Sequence, residues 1–465
     1  MSLAHSNIKL LYVALIIGAI SLAGCMGKKT RAEGIARLGG SLPDTLRIGT
    51  LYSPSSYFIY REQPMGFNYE IACKFAEEHG MGLKVEVASG IPQLMKMLLE
   101  GKIDLLAYDI PVNAEYGRNV RYCGMRSDTH LVLVQPKRKA IKDIKQLAGK
   151  TVFVEEKSKY EKRLREINKE IGGGIVIMTV GKDSLIADDM IGMVSEGKIP
   201  MTIVESDVAE LNKNYYPEID VALALSDNQQ NRWAVRGGDY ALAQAIDRWS
   251  ESVEEVEAYR SLHKKYFEMS RASSFSSTDA VIGERGIISE YDNLFRRYAA
   301  EIGWDWRLLA AIAHTESRFD NSQISWAGAI GLMQVMPATA EFFGVAPSSL
   351  NNPSVNVATA ASLLAHLEDI FESRVKNPEE RLKFVLAAYN SGAGHILDAM
   401  ALARKYGLDP ERWYGNVCEM ALRKTLPEYF NDPAVKHGYF RARETIEFVE
   451  RVKRAYSIYR RAAKH

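Results

Sequence analysis

The 465-residue chain has little of several things that would narrow its class at once. An excess of charge is lacking: 59 Lys plus Arg stand against 58 Asp plus Glu, a formal net charge of +1. Both halves keep that balance, so neither presents the polycation that neutralises phosphates, and no nucleic-acid partner is expected. Cysteine is scarce, with four in the whole chain. No C-x-x-C or H-E-x-x-H spacing occurs, which leaves no basis for a disulfide scaffold or a zinc site. Long apolar runs are missing except for one, Leu10 to Gly24, which excludes a polytopic membrane protein. What remains, 47% apolar and 25% charged, is the composition of a globular chain with two or three cores.

The one apolar run follows His5 and Lys9, is short for a membrane span and ends in small residues, so it reads as a signal-peptide core. Its end, Leu22-Ala23-Gly24-Cys25, resembles a bacterial lipobox. The resemblance implies removal of residues 1–24 and acylation of Cys25; several acyl chains on one residue anchor a protein stably without a spanning helix. A Cys buried after a short hydrophobic helix is the alternative. Residues 25–43 then form a lipidated terminus and polar leash outside the cytoplasm. Met26, where Asp would point to inner-membrane retention, favours an outer-membrane anchor facing the periplasm. Cys73, Cys123 and Cys418 allow one disulfide at most, Cys73 to Cys123 in the first half, or three buried thiols.

The first half repeats itself. A helix-period stretch ending in Glu100-Gly101-Lys102-Ile103 runs into the strand-like Asp104 to Ile110, and a second ending in Glu196-Gly197-Lys198-Ile199 runs into Pro200 to Val204. Each unit opens on its own strand, Leu46 to Thr50 and Thr151 to Val154. Residues 44–268 therefore read as two α/β lobes, an arrangement that makes a cleft from loops at the strand ends. Gly66-Phe67-Asn68-Tyr69-Glu70-Ile71-Ala72 and Arg232-Trp233-Ala234-Val235-Arg236 resemble segments of the family-3 extracellular solute-binding proteins, implying a periplasmic-binding-protein fold. Where that family usually carries a carboxylate-gripping Arg, this chain has Asn113-Ala114-Glu115-Tyr116. A Tyr does not replace a bidentate Arg. With Glu205 and Asp207 at the family's ammonium-binding position, Tyr116, Glu205 and Asp207 are the ligand candidates, and a peptide or muropeptide is a better fit than a free amino acid.

A Ser-rich linker, residues 269–284, leads to a region of helical period, 285–465. Asp305 is placed to cap a helix whose apolar stripe, Leu308, Leu309, Ile312 and Ala313, continues onto Glu316. The spacing aims a carboxyl at the core, where burial raises its pKa as a general acid requires. Ser317 follows, then Gly328 to Pro337 with Gly331-Leu332-Met333-Gln334, and Ala388-Tyr389-Asn390-Ser391-Gly392 ends a helix opened by Asn377-Pro378-Glu379-Glu380. Glycines allow close backbone approach to a sugar, while Gln334, Tyr389 and Asn390 offer hydrogen bonds and a stacking face.

These three motifs in this order, with Glu444-Thr445 and Phe448-Val449 later, resemble the soluble-lytic-transglycosylase family of goose-lysozyme-like enzymes. Together with the solute-binding half and the lipobox, the whole resembles the membrane-bound lytic transglycosylases of the F type. The fold class implied is a two-lobed α/β binding-protein domain followed by a mainly α, lysozyme-like domain. The activity implied is non-hydrolytic cleavage of the MurNAc–GlcNAc β-1,4 bond of peptidoglycan strands, with Glu316 as sole catalytic acid and base and with Ser317, Met333, Gln334, Tyr389 and Asn390 at the substrate. No metal or cofactor is implied. Asp320, one turn on, reads as a helix stop rather than a second catalytic carboxylate. A non-catalytic solute- or murein-binding lipoprotein is the alternative.

Overall fold

A computed structural model describes residues 42–53, 55–112, 119–181, 187–213, 215–268 and 287–462. Cys25 and Tyr116 lie outside the described residues. The chain forms two compact units. One takes the chain up to Leu51 with Phe67–Asp128 and Gln229–Leu262; the other takes Tyr52–Gly66, Thr129–Asn228 and the chain from His263. This division does not follow the sequence-based border near residue 269: the second lobe and a short stretch of the first half belong to the unit that holds the helical region.

The first unit is built on a five-stranded sheet in the order Gly82–Ala88, Thr45–Leu51, Leu105–Pro111, Gln229–Arg236, Val120–Thr129. Thr45–Leu51 runs parallel to both neighbours, and Gln229–Arg236 returns antiparallel. Leu46, Ile48, Leu105 and Leu106 are fully buried because helices cover the sheet. The second unit's sheet, in the order Ile219–Asp220, Leu131–Pro136, Thr202–Glu205, Thr151–Glu155, Val176–Val180, mixes parallel and antiparallel pairs. The repeat is visible in detail. Gly101 and Gly197 both end their helices at φ 73°, and Lys102–Glu100 and Lys198–Glu196 form matching ion pairs. Cys73, Cys123 and Cys418 are free thiols. Among the described residues no helix is long and apolar enough to cross a membrane.

The helical body of the second unit is arranged around α1, Trp306–Ser317. Asp305 caps it, accepting the Arg307 N–H at 3.0 Å. Leu309, Ala310, Ala311, Ile312 and Ala313 are all fully buried, so the middle of α1 is closed off from water on every side. Around it stand α2 (Pro353–Glu372), α3 (Pro378–Ser391), α4 (Ala393–Lys405) and α5 (Ala442–Ala462), which contribute Leu364, Phe384, Ile396 and Phe448 to one core. Asn377 caps α3 through Glu379 N and Glu380 N, whereas the Glu380 carboxylate, which a full capping box would turn back to Asn377, accepts from Trp413 N at 2.9 Å.

The loop after α1 is fixed by one residue. Asn356 of α2, fully buried, accepts from Met333 N at 2.8 Å and donates to Ile330 O at 2.8 Å and Leu350 O at 3.1 Å. Gly331, at φ 78°, has to be glycine because a Cβ would stand 2.5 Å from Asn356 Nδ2. Its glycine therefore serves the approach of Asn356, a different use from the sugar contact expected of it. Asn356→Leu leaves three buried backbone groups unpaired, so a loss of about 2–4 kcal/mol of stability is expected, read as a lower denaturant midpoint. An unchanged midpoint would show that the loop holds itself.

Candidate active site

Glu316 stands on the last turn of α1, and the chain then leaves the helix through two left-handed residues, Arg318 at φ 56° and Phe319 at φ 67°. Its side chain is 8% exposed. Burial pushes the carboxyl above its usual range, with the nearby positive charges of Arg61 and Arg451 pulling the other way. Asp320 is exposed, and hydrogen bonds from Ser322 hold it below the ordinary carboxylate range, which makes it unfit as an acid.

The motif residues meet around Glu316, though not all by their side chains. Tyr389 donates its hydroxyl to Met333 O at 2.6 Å, and Asn390 Oδ1 accepts from Thr445 of α5 at 2.7 Å. Met333 is fully buried. Gln334 turns its amide inward to Gln323 O and Gly331 O, so its backbone carbonyl, at a residue with φ 48°, faces the groove. Ser317 donates to Leu332 O at 2.8 Å and Ala313 O at 3.2 Å, tying α1 to the loop rather than facing a substrate as expected. Glu205 pairs with Lys159, and Asp207 accepts from Val208 N; burial and the Glu205 charge push the Asp207 carboxyl up to about 6. Neither joins the groove residues. Among the described residues no cluster of His, Cys, Asp and Glu could hold a metal.

The sequence reading missed the residue at the centre. Phe58–Tyr60 (β1) and Gln63–Met65 (β2) form a hairpin, and Arg61 at its tip enters the groove. Its Nη2 lies 2.8 and 3.1 Å from the two Glu316 oxygens, Nη1 donates to Gln334 O at 2.6 Å and Nε to Asn390 O at 3.0 Å. Arg61 N also donates to Ser391 O. Burial works against its charge, and Glu316 together with the Tyr60 and Tyr389 hydroxyls more than offsets that. Tyr60 packs on Trp326 with centroids 5.4 Å apart. Hairpin, Trp326, Asn390 and Thr445 border a pocket of about 540 Å³ open to solvent. Trp326 left a signal, an aromatic in a loop two residues before Gly328. Arg61 left none, because Arg-Glu is not a sequence that announces a tight turn.

A family model described as "Transglycosylase SLT domain" matches residues 293–409, and "Bacterial extracellular solute-binding proteins, family 3" matches 46–269. A protein of Desulfosudis oleivorans named "Membrane-bound lytic murein transglycosylase F" is 31% identical over 416 residues, covering 87% of each chain. One of the same name from Pseudomonas fluorescens is 30% identical over 443 residues, covering 94% of this chain and 88% of that one. Among solved structures, substrate-binding domain 2 of Lactococcus lactis GlnP in the open conformation is 18% identical, with TM-score 0.43, over 49% of this chain and 97% of that one.

Ser317→Ala is expected to lower stability by about 1–2 kcal/mol while leaving KM for a glycan substrate within about twofold, since the hydroxyl is bonded to backbone. A KM rise at unchanged thermal stability would instead place the hydroxyl at the substrate.

Proposed function

We propose, for a chain that belongs to the membrane-bound lytic murein transglycosylase F family, that Glu316 is the acid and base of a peptidoglycan lytic transglycosylase whose described conformation is its resting one. The observation that carries the reading is a single buried carboxyl at the end of the central helix, with the backbone and side chains of three separated motifs gathered around it.

A buried carboxyl with a raised pKa can deliver its proton to the glycosidic oxygen as the C1–O bond breaks. The two-carboxylate scheme of ordinary glycosidases would need a second, ionised carboxylate at the sugar, and Asp320, exposed and bonded to Ser322, does not join the residues gathered around Glu316. The substrate supplies what is missing. Its N-acetyl carbonyl stabilises the positive charge at C1, and the muramyl C6 hydroxyl then attacks C1 as Glu316 takes back the hydroxyl proton. One C–O bond breaks, one forms, no water is consumed, and the product ends in a 1,6-anhydro ring.

Arg61 stands against this in the described conformation. It holds both oxygens of Glu316, fills the space over Tyr389 and links the two groove carbonyls, so an entering saccharide must displace the hairpin. A ligand of the solute-binding half that favours the displaced state would raise turnover by its difference in affinity for the two states. Asp207 and Glu205 fit a cationic group of a peptide or muropeptide. At the N-terminus we retain an acylated Cys25 and an outer-membrane anchor facing the periplasm, supported by the lipobox-like segment; the relatives named as membrane-bound support a cell-envelope location.

Digesting purified murein tests the chemistry: products lighter by one water than hydrolysis products are expected, and Glu316→Gln should lower their rate on the order of 10²–10⁴-fold. Hydrated ends would make the protein a hydrolase, and binding without cleavage a murein-binding lipoprotein. Arg61→Ala is expected to raise basal turnover. It should also move the alkaline limb of kcat/KM upward, because the acid must be protonated and loses the cation that depresses its pKa. A limb that stays put or moves down would refute the Arg61 reading.

A further inference from the structure

The two lobes repeat one unit, and the turn they share is used differently in each. In the first lobe Glu100, the C-cap of its helix, is paired within that lobe, with Lys102 at 2.9 Å and with Lys96, four residues back, at 3.8 Å. Glu196 stands at the same place in the second lobe and keeps Lys198, at 2.7 Å. Four residues back, however, is Gly192, and the second cation is Arg443 of α5. A glycine inside a helix is destabilising, so its presence within Ala187–Ser195 calls for a reason. The reason is space. A Cβ at 192 would stand 3.1 Å from the Tyr216 hydroxyl and 4.0 Å from Arg443 Nη2, and a lysine there would contend with the guanidinium for the same room.

Arg441, two residues earlier, reaches the same lobe. Its Nη2 donates to Asn212 Oδ1 at 2.6 Å, and its guanidinium lies over the Tyr215 ring, 4.0 Å from the centroid. Asn212 is fully buried and its amide N–H is turned to Val208 O, so the acceptor half of the side chain is met from outside the lobe. This contact is the firmer of the two, because the Arg443 pair is partly exposed. The residues flanking the two arginines serve the catalytic core instead. Phe440 stacks on the His395 ring with centroids 4.5 Å apart, and Thr445 donates to Asn390 Oδ1 at 2.7 Å. The six residues from Phe440 to Thr445 therefore bond the second lobe and the wall of the groove to each other.

The first lobe is related to the groove through the hairpin. Its strand Thr45–Leu51 ends, the chain crosses into the second unit for Tyr52–Gly66, and it returns to start the helix Phe67–Glu78. The hairpin is thus the loop between a strand and a helix of the first lobe, held by that lobe at both ends. Beside the Arg61 contacts, it is bonded to the catalytic core by Glu62 Oε1, which accepts from Gly394 N at 2.8 Å, and by Ile59 O, 2.9 Å from His395 Nε2. We propose that the second lobe is a fixed mount of the catalytic half, clamped through Arg441 and Arg443, and that the groove opens by movement of the first lobe alone, which draws the hairpin out by both ends. The proposal rests on the reading of the hairpin as a resting-state plug. A ligand of the solute-binding half that moves the first lobe then acts on the hairpin directly, with the second lobe as its fulcrum.

The test measures two distances in the full chain carrying Cys25→Ser and Cys73→Ser, by double electron–electron resonance between nitroxide labels. Labels at the exposed positions Lys84 and Arg297 relate the first lobe to the helical region, and labels at the exposed positions Arg165 and Arg297 relate the second lobe to it. Arg61→Ala is expected to shift or broaden the first distance by more than about 2 Å, the scale of a domain rearrangement, and to leave the second unchanged. Arg441→Ala with Arg443→Glu is expected to broaden the second distance, and adding Glu196→Arg to narrow it again in part, a rescue that a general loss of folding would not show. An Arg61→Ala chain that digests murein no faster than wild type overturns the plug and the proposal with it. With faster digestion, a first distance that stays put, or a second that changes along with it, overturns the mount and leaves the plug standing. A second distance indifferent to the arginine replacements does the same.

Discussion

The described conformation of the catalytic half depends on one buried ion pair, Arg61 with Glu316. Taking both charges out of water costs several kcal/mol per ion, and the attraction between them offsets that only where the remaining donors and acceptors are satisfied. Here they are: the guanidinium also reaches Gln334 O and Asn390 O and lies over the Tyr60 and Tyr389 rings. The pair therefore ties α1, the loop after it, the end of α3 and the hairpin into a single arrangement. Removing one partner from a buried pair costs about 3–5 kcal/mol, much of it from the charge left behind. That makes the pair an effective clamp, and a poor permanent fixture for a carboxyl in the proposed role of proton donor.

The hairpin itself is held under strain. Arg61 and Glu62 sit at φ 48° and 63°, the turn geometry for which Asn-Gly is the usual choice. Five of the six non-glycine residues with positive φ among those described, Arg61, Glu62, Arg318, Phe319 and Gln334, lie at this site. Such conformations cost of order 1–3 kcal/mol each and persist only where the surroundings over-determine them. At the tip those surroundings are Glu316, Gly394 and His395; at the base, Gly66 donates to the hydroxyl of the fully buried Tyr266. A strained turn with strong but localised bonds is suited to two states, because losing the bonds also releases the strain.

Much of this protein was determined by local sequence. The helix-to-strand turns at Gly101 and Gly197, the Asp305 and Asn377 caps and the apolar stripe that buries Glu316 are all short-range consequences of spacing. Periodicity and capping act within a few residues, so a sequence read in windows exposes them. The meeting of the motif residues was legible too, through their resemblance to a known family. Their individual roles were not: Ser317, Met333 and Gln334 look like substrate contacts in sequence, yet in the folded chain the Ser317 and Gln334 side chains bond backbone, and Met333 is buried with its backbone N–H and C=O taken by Asn356 and Tyr389. Which atoms of a buried residue remain free depends on the packing of neighbours such as Asn356, twenty-three residues beyond Met333.

Tertiary structure alone decided what covers the acid. Arg61 and Glu316 are 255 residues apart, and Glu62 and Gly394 332. No periodicity links positions so distant, and a two-residue turn of Arg-Glu carries none of the glycine or asparagine that would mark it. The sequence by itself determined an acid that must be buried; only the fold determined that the group burying it is a cation from the other half of the chain. The reason is physical: hydrophobic pattern dictates which faces leave water, whereas the partner of a buried charge is chosen by whichever distant segment the completed packing brings within hydrogen-bond reach.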